Sequence, residues 1–203
     1  MNAYWFLKRL THFSRLRPLL IAGLLACCLA GGLSCHATKA DPPSPEWAFE
    51  SGAITLRYTA AKNLNQYNNA AHTLVLVVYQ LSEAADFKNY TQTADGIKRL
   101  LNLYETEARK TIQLKNLEDL QRFILTPGTE KTLRIDRAKD ARWVGLVAGY
   151  FNAAAGQCSA VHRIPTARTE KGLIRKTVHV RPAELHIHID LDANAMHTSR
   201  ESQ

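Results

Sequence analysis

Leu74-Val75-Leu76-Val77-Val78-Tyr79-Gln80-Leu81 holds one polar side chain in eight residues, and three of the eight are valine. Branched and aromatic residues suit a pleated surface, and a short, nearly continuous apolar run predicts a strand covered on both faces. Upstream, Ala53 to Ala60 alternates, with Ile54, Leu56 and Tyr58 on one side and Thr55, Arg57 and Thr59 on the other. That period predicts a half-buried strand. Downstream, two strand-like runs between Arg122 and Ile135 flank Pro127-Gly128, residues that suit the centre of a type II turn, so a hairpin is expected there. Trp143 to Phe151, Arg175 to Val180 and Ala183 to Leu191 read as further strands, the last two separated by Pro182, and Val161 to Ile164 is a candidate for another. Ile97, Leu100, Leu101, Tyr104 and Ala108 instead recur at helical spacing, with Asp95 or Thr93 available as a cap. Ala84 to Tyr90 is a candidate short helix before it. Short strands with turn signals and one amphipathic helical insertion predict a mainly β protein, an antiparallel β-sandwich.

The N-terminus has a different character. Lys8, Arg9, Arg15 and Arg17 precede an uncharged stretch from Pro18 to Leu33, which is 16 residues long. A membrane-spanning helix needs roughly 20 apolar residues, so residues 1–34 read as a cleaved secretion signal. Cys35 closes that stretch after Gly31-Gly32-Leu33-Ser34, and an extended, Pro-rich spacer follows to residue 46. The junction resembles the bacterial lipobox and makes Cys35 the expected site of a covalent lipid. Cys27, after Leu24-Leu25-Ala26, is the alternative site. The remaining chain divides into one domain, 47–193, and a polar C-terminal tail, 194–203.

Removing the signal takes away four basic residues and no acidic ones, leaving 22 basic against 18 acidic and a formal charge of +4 rather than +8. So mild a balance, without a basic stripe along one helix, gives no footprint for nucleic acid. With Cys27 and Cys28 lost and Cys35 acylated, Cys158 has no partner for an intramolecular disulfide.

In this order the elements resemble those of the TssJ (SciN) family, the outer-membrane lipoproteins of bacterial type VI secretion systems. The resemblance is carried by Ala60-Ala61-Lys62-Asn63-Leu64-Asn65 after the first strand, by Val78-Tyr79-Gln80-Leu81, by Ala85-Asp86-Phe87 opening the helical insertion, by Leu125-Thr126-Pro127-Gly128, and by Trp143-Val144-Gly145-Leu146-Val147-Ala148. Val161-His162-Arg163 stands where the family carries a Trp-Arg pair, which marks a divergent member. The resemblance implies a transthyretin-like sandwich tethered to the outer membrane and facing the periplasm. It implies no catalysis and no cofactor beyond the lipid on Cys35. The implied partner is the periplasmic part of an IcmF-like inner-membrane protein (TssM), held so that an envelope-spanning channel forms.

The loop from Ala61 to His72 is the expected partner contact. About a dozen residues is long for a connection between neighbouring strands. Lys62, Asn63, Leu64, Asn65, Gln66, Tyr67 and Asn68 combine adaptable amides with two large side chains, a mixture that suits binding surfaces. Leu64 and Tyr67 are the expected anchors; alternatively both fold back onto the edge of the sandwich. In the family the corresponding loop docks the inner-membrane partner. Two other constellations point to different functions. His186, His188, Asp190 and Asp192 alternate with Leu185, Ile187, Ile189 and Leu191, so a strand places two imidazoles and two carboxylates on one face, where they are either a solvated face or part of a solute or metal site. Cys158 and His162, four residues apart, are either incidental or the thiol–imidazole pair of a small hydrolase.

Overall fold

The computed structural model describes residues 44–103, 114–172 and 177–201. Within them the chain forms β1 (Glu50–Ala60), β2 (Leu74–Leu81), helices α1 (Ala85–Thr91) and α2 (Ala94–Asn102), β3 (Leu117–Leu125), β4 (Glu130–Arg137), β5 (Trp143–Ala148), β6 (Ser159–Arg163), β7 (Thr166–Lys171), β8 (Thr177–Pro182), β9 (Leu185–Leu191) and β10 (Met196–Arg200). The expected lipid site Cys35, the signal, and Tyr104 and Ala108 of the helical stripe lie outside the described residues.

Two four-stranded sheets make the sandwich, one ordered β10-β9-β1-β4 and the other β3-β2-β5-β6, while β7 and β8 pair only with each other. All pairs are antiparallel except β1 with β9, which run side by side from Ile54–Leu185 to Ala60–Leu191. The alternation read in β1 is realised: Ile54, Leu56 and Tyr58 face inward with Ile187 and Ile189 of β9 and meet Leu76, Val78, Val144 and Leu146 of the other sheet. β2 is covered twice, as its composition requires. Its even-numbered residues join that inter-sheet core, and Val77, Tyr79 and Leu81 pack on the outer side against Phe87, Ile97 and Leu100 of the helices.

Single residues fix these layers. Gly145 of β5 lies under the Phe87 ring, where an added Cβ would come within 2.6 Å of the ring. Tyr79 donates its hydroxyl to the Leu100 carbonyl at 2.5 Å. Gln80, the polar interruption in β2, is buried and crosses between sheets. Its amide nitrogen donates to the Asp136 carbonyl and its oxygen accepts from the Ala138 amide, both at 2.8 Å. Thr93 is the cap of α2, accepting from the Gly96 amide, whereas Asp95 pairs with Arg99. At the start of the domain Arg137, 2% exposed, holds Glu50 at 2.8 Å and the Ala48 carbonyl at 2.9 Å, and stacks on Trp47.

Three expectations change. The runs around Pro127-Gly128 are strands, and Gly128 has the positive φ, +70°, that the turn needs, yet no hairpin forms. β3 pairs with β2, and β4 pairs with β1, so the turn crosses from one sheet to the other. Residues 194–203 are not simply a polar tail, since Met196 to Arg200 form β10 on the free edge of β9 and bury Met196. Finally, β5 stops at Ala148, three residues short of Phe151. Gly149 and Tyr150 turn the chain into the next connection.

Candidate functional site

β1 and β9 both end, and β2, β4, β6 and β10 all begin, at one end of the sandwich, here termed distal; the chain enters β1 at the opposite, proximal end. The eleven residues of β1 separate the two by about 35 Å. The loop at 61–73, the turn at 126–129, the β5–β6 connection and the β9–β10 turn therefore converge distally.

The β1–β2 loop is built from its asparagines. Asn65, Asn68 and Asn69 have φ of 46°, 48° and 58°, a left-handed backbone that Asn tolerates better than most residues. Tyr67 and Ala70 exchange two backbone hydrogen bonds, and the Gln66 amide donates to the Ala193 carbonyl at 2.8 Å, tying the loop to the β9–β10 turn. Asn65 is the hub: its side chain donates to the Thr73 carbonyl at 3.0 Å and accepts from the Phe151 amide at 2.8 Å. The β5–β6 connection is thereby held beside the loop. Tyr150 adds a second clasp, donating its hydroxyl to the Ala195 carbonyl at 2.6 Å, and burial raises its pKa.

The predicted site residues divide. Leu64 is wholly buried and belongs to the inter-sheet core, so the expectation that it is a surface anchor is overturned; the aliphatic group sits in the one direction that removes it from water. Asn65 is also buried, as a scaffold. Lys62, Asn63, Gln66, Tyr67 and Asn68 are exposed. The exposed aromatic that sequence reasoning missed is Phe151, 61% exposed, whose ring centroid lies 3.8 Å from that of Tyr67. Its signal was an aromatic side chain followed at once by Asn152, just past a Gly, where a buried strand had no more room to continue. The His72 ring centroid lies 6.4 Å from that of Tyr67. An exposed aromatic pair on a hydrogen-bonded base is a low-entropy contact surface.

The competing constellations sit elsewhere. Cys158 is buried against the helix-side core, donating to the Ala154 and Ala155 carbonyls, and burial raises its pKa, which keeps the thiol protonated. His162 shares the face of its neighbour Val144, which belongs to the inter-sheet core, and bonds Thr198 of β10 at 3.0 Å. The thiol and the imidazole thus belong to opposite faces of one sheet. Burial, with Arg200 nearby, lowers the His162 pKa. His186 and His188 lie on the outer face of β9, each beside a carboxylate two residues away, Glu184 at 3.2 Å and Asp190 at 3.1 Å. Among the described residues no three His, Cys, Asp or Glu side chains are grouped so as to hold a metal ion, and no helix is long and apolar enough to cross a membrane.

Comparison with known proteins agrees with the architecture. Residues 52–194 match the family model described as T6SS-SciN, type VI secretion lipoprotein, VasD, EvfM, TssJ. Among solved structures, the lipoprotein TssJ1 of the type VI secretion system from Pseudomonas aeruginosa aligns at a TM-score of 0.52 and 23% identity, over 78% of this chain and 99% of that one. Serratia marcescens Lip, a membrane-bound component of the type VI secretion system, aligns at 0.52 and 22% identity, over 73% and 98%. A chain of a type VI membrane complex aligns at 0.51 and 12% identity, over 77% and 99%. No curated protein matches the chain.

Proposed function

This chain belongs to the type VI secretion lipoprotein family (TssJ, SciN), and from that membership we propose that it is the lipid-anchored outer-membrane component of a type VI secretion system that docks an IcmF-like inner-membrane protein. Acyl chains on Cys35 hold it to the outer membrane, and the domain faces the periplasm. Its distal loops capture the periplasmic part of the IcmF-like protein (TssM), and the envelope-spanning channel forms around that contact. The reading requires no catalysis and no cofactor other than the lipid, in keeping with a Cys158 thiol that is buried and turned away from His162.

The observation that carries the docking step is the exposed Tyr67–Phe151 pair, fixed by Asn65 at the end of the domain farthest from where the spacer joins it. A tethered protein that reaches toward another membrane presents its contact surface on the side away from its own anchor. Lys62, Asn63, Gln66 and Asn68 are the exposed polar residues of the same loop, and Leu64 and Asn65 hold it in shape from beneath. Acylated, detergent-solubilised protein is expected to co-precipitate the periplasmic domain of the IcmF-like partner. Tyr67→Ala with Phe151→Ala should weaken capture by on the order of 2–4 kcal/mol without moving the melting temperature. Undiminished capture by that variant would put the interface on another part of the domain.

A further inference from the structure

The β7–β8 ribbon stands apart from both sheets, and it holds an unusual share of the charge. From the start of β7 to the end of β8, residues 166–182, the sequence contains five basic side chains and one acidic one, Glu170. The rest of the chain from Cys35 onward contains 17 basic and 17 acidic residues. The net positive charge of the secreted chain is therefore the charge of this ribbon.

Register sorts that charge between two faces. Ala167 pairs with Arg181, Thr169 with His179 and Lys171 with Thr177, so these six share a face. Five of them are exposed, Ala167 being half-buried, and the face includes no carboxylate. The other face combines half-buried Val178 and Val180 with an ion pair of its own, Arg168 to Glu170 at 3.6 Å.

Position supplies the second observation. The ribbon is rooted at the proximal end, between Ile164 at the end of β6 and Leu185 at the start of β9, with the Ala183 amide bonded to the Pro165 carbonyl at 2.9 Å. That is the end at which the chain arrives from the spacer. Eleven residues lie between Cys35 and Trp47, the first buried residue of the domain, and this stretch reaches about 40 Å when fully extended. A cationic surface held within that distance of a bilayer is at high effective concentration over its headgroups. The attraction grows within the last Debye length of about 8–10 Å.

We propose that the Lys171/His179/Arg181 face of the β7–β8 ribbon docks on anionic phospholipid headgroups beside the acyl anchor, fixing the domain upright with its distal loops away from the bilayer. The inference rests on the lipid-anchor reading above. It gives the anchor an orientation, which a flexible spacer alone cannot supply.

Thr169 lies on the cationic face and is exposed, so Thr169→Cys reports contact there. Cys158 is buried and Cys35 acylated, leaving the new thiol as the reactive one among the described residues. The acylated protein is reconstituted into vesicles of phosphatidylcholine, with or without phosphatidylglycerol, and reacted with a bulky uncharged maleimide. Labelling should be at least about tenfold slower on the phosphatidylglycerol vesicles, since each of Lys171 and Arg181 near an anionic surface strengthens binding by roughly fivefold. High salt should restore the rate, as should Lys171→Glu with Arg181→Glu in the same background. Equal labelling on both bilayers, with the protein floating on both, would overturn the docking and leave the anchor intact. Failure to float on either would overturn the anchor itself. A slowdown seen only after adding the partner's periplasmic domain would make the ribbon a protein contact instead.

Discussion

Single residues at the distal end are split between scaffold and contact, and the split is measurable. Leu64 is fully buried, so Leu64→Ala should lower stability by about 2–5 kcal/mol, whereas Tyr67→Ala should cost well under half of that. Chemical denaturation of the two variants distinguishes them. Comparable losses would mean that Tyr67 too is part of the core. His162 gives the domain a pH dependence of known sign. Its pKa in the folded protein lies below the ordinary value of 6.5, chiefly through burial, so below that pH the unfolded chain binds a proton that the folded one does not. Stability is complete above pH 6.5 and falls as the pH drops from there toward the depressed value. His162→Gln, which keeps a partner for Thr198, should flatten the melting temperature between pH 7 and 5. An unchanged slope would assign the dependence to other groups.

At the scale of elements, the contact between α1 and β5 leaves no room for a single added methyl. Gly145 meets the Phe87 ring so closely that an added methyl must displace it. Gly145→Ala should therefore destabilise by about 1–3 kcal/mol, and Phe87→Leu, by making room, should recover part of the loss when combined with it. Additive losses in the double variant would show that the two sites do not interact. The β3–β4 turn obeys a different rule. Its conformation follows from Pro127-Gly128, but its role as a bridge between sheets follows from the partners that β3 and β4 find on β2 and β1.

For the whole molecule, the chain enters β1 at one end and the Tyr67–Phe151 pair lies at the other, and the proposed function puts the anchor at the first and the docking surface at the second. Cys35→Ser should move the protein from the outer-membrane fraction to the soluble periplasmic fraction while leaving its fold unchanged, because Cys35 lies before Trp47, the first buried residue among those described. Partner capture in detergent should survive that change, and assembly in cells should not. Retention of the serine variant in the membrane would point to Cys27 or to an uncleaved signal.

The sequence by itself determined the parts whose cause is local. The period of β1, the double-sided apolarity of β2, the cap at Thr93 and the turn at Gly128 are each set by a few neighbouring side chains, and the family motifs ride on those same elements. The aromatic surface was half legible, since Tyr67 was read as an anchor and is exposed. Which aromatic joins it, and which large side chain of the loop turns inward, depended on contacts 86 residues apart, between Asn65 and Phe151. The parallel neighbour of β1, the sheet to which β4 belongs and the conversion of the last residues into β10 were likewise decided by competition for apolar surface and free strand edges across the whole chain. No local window contains that competition, because a strand's partner is chosen only when every candidate edge is present together.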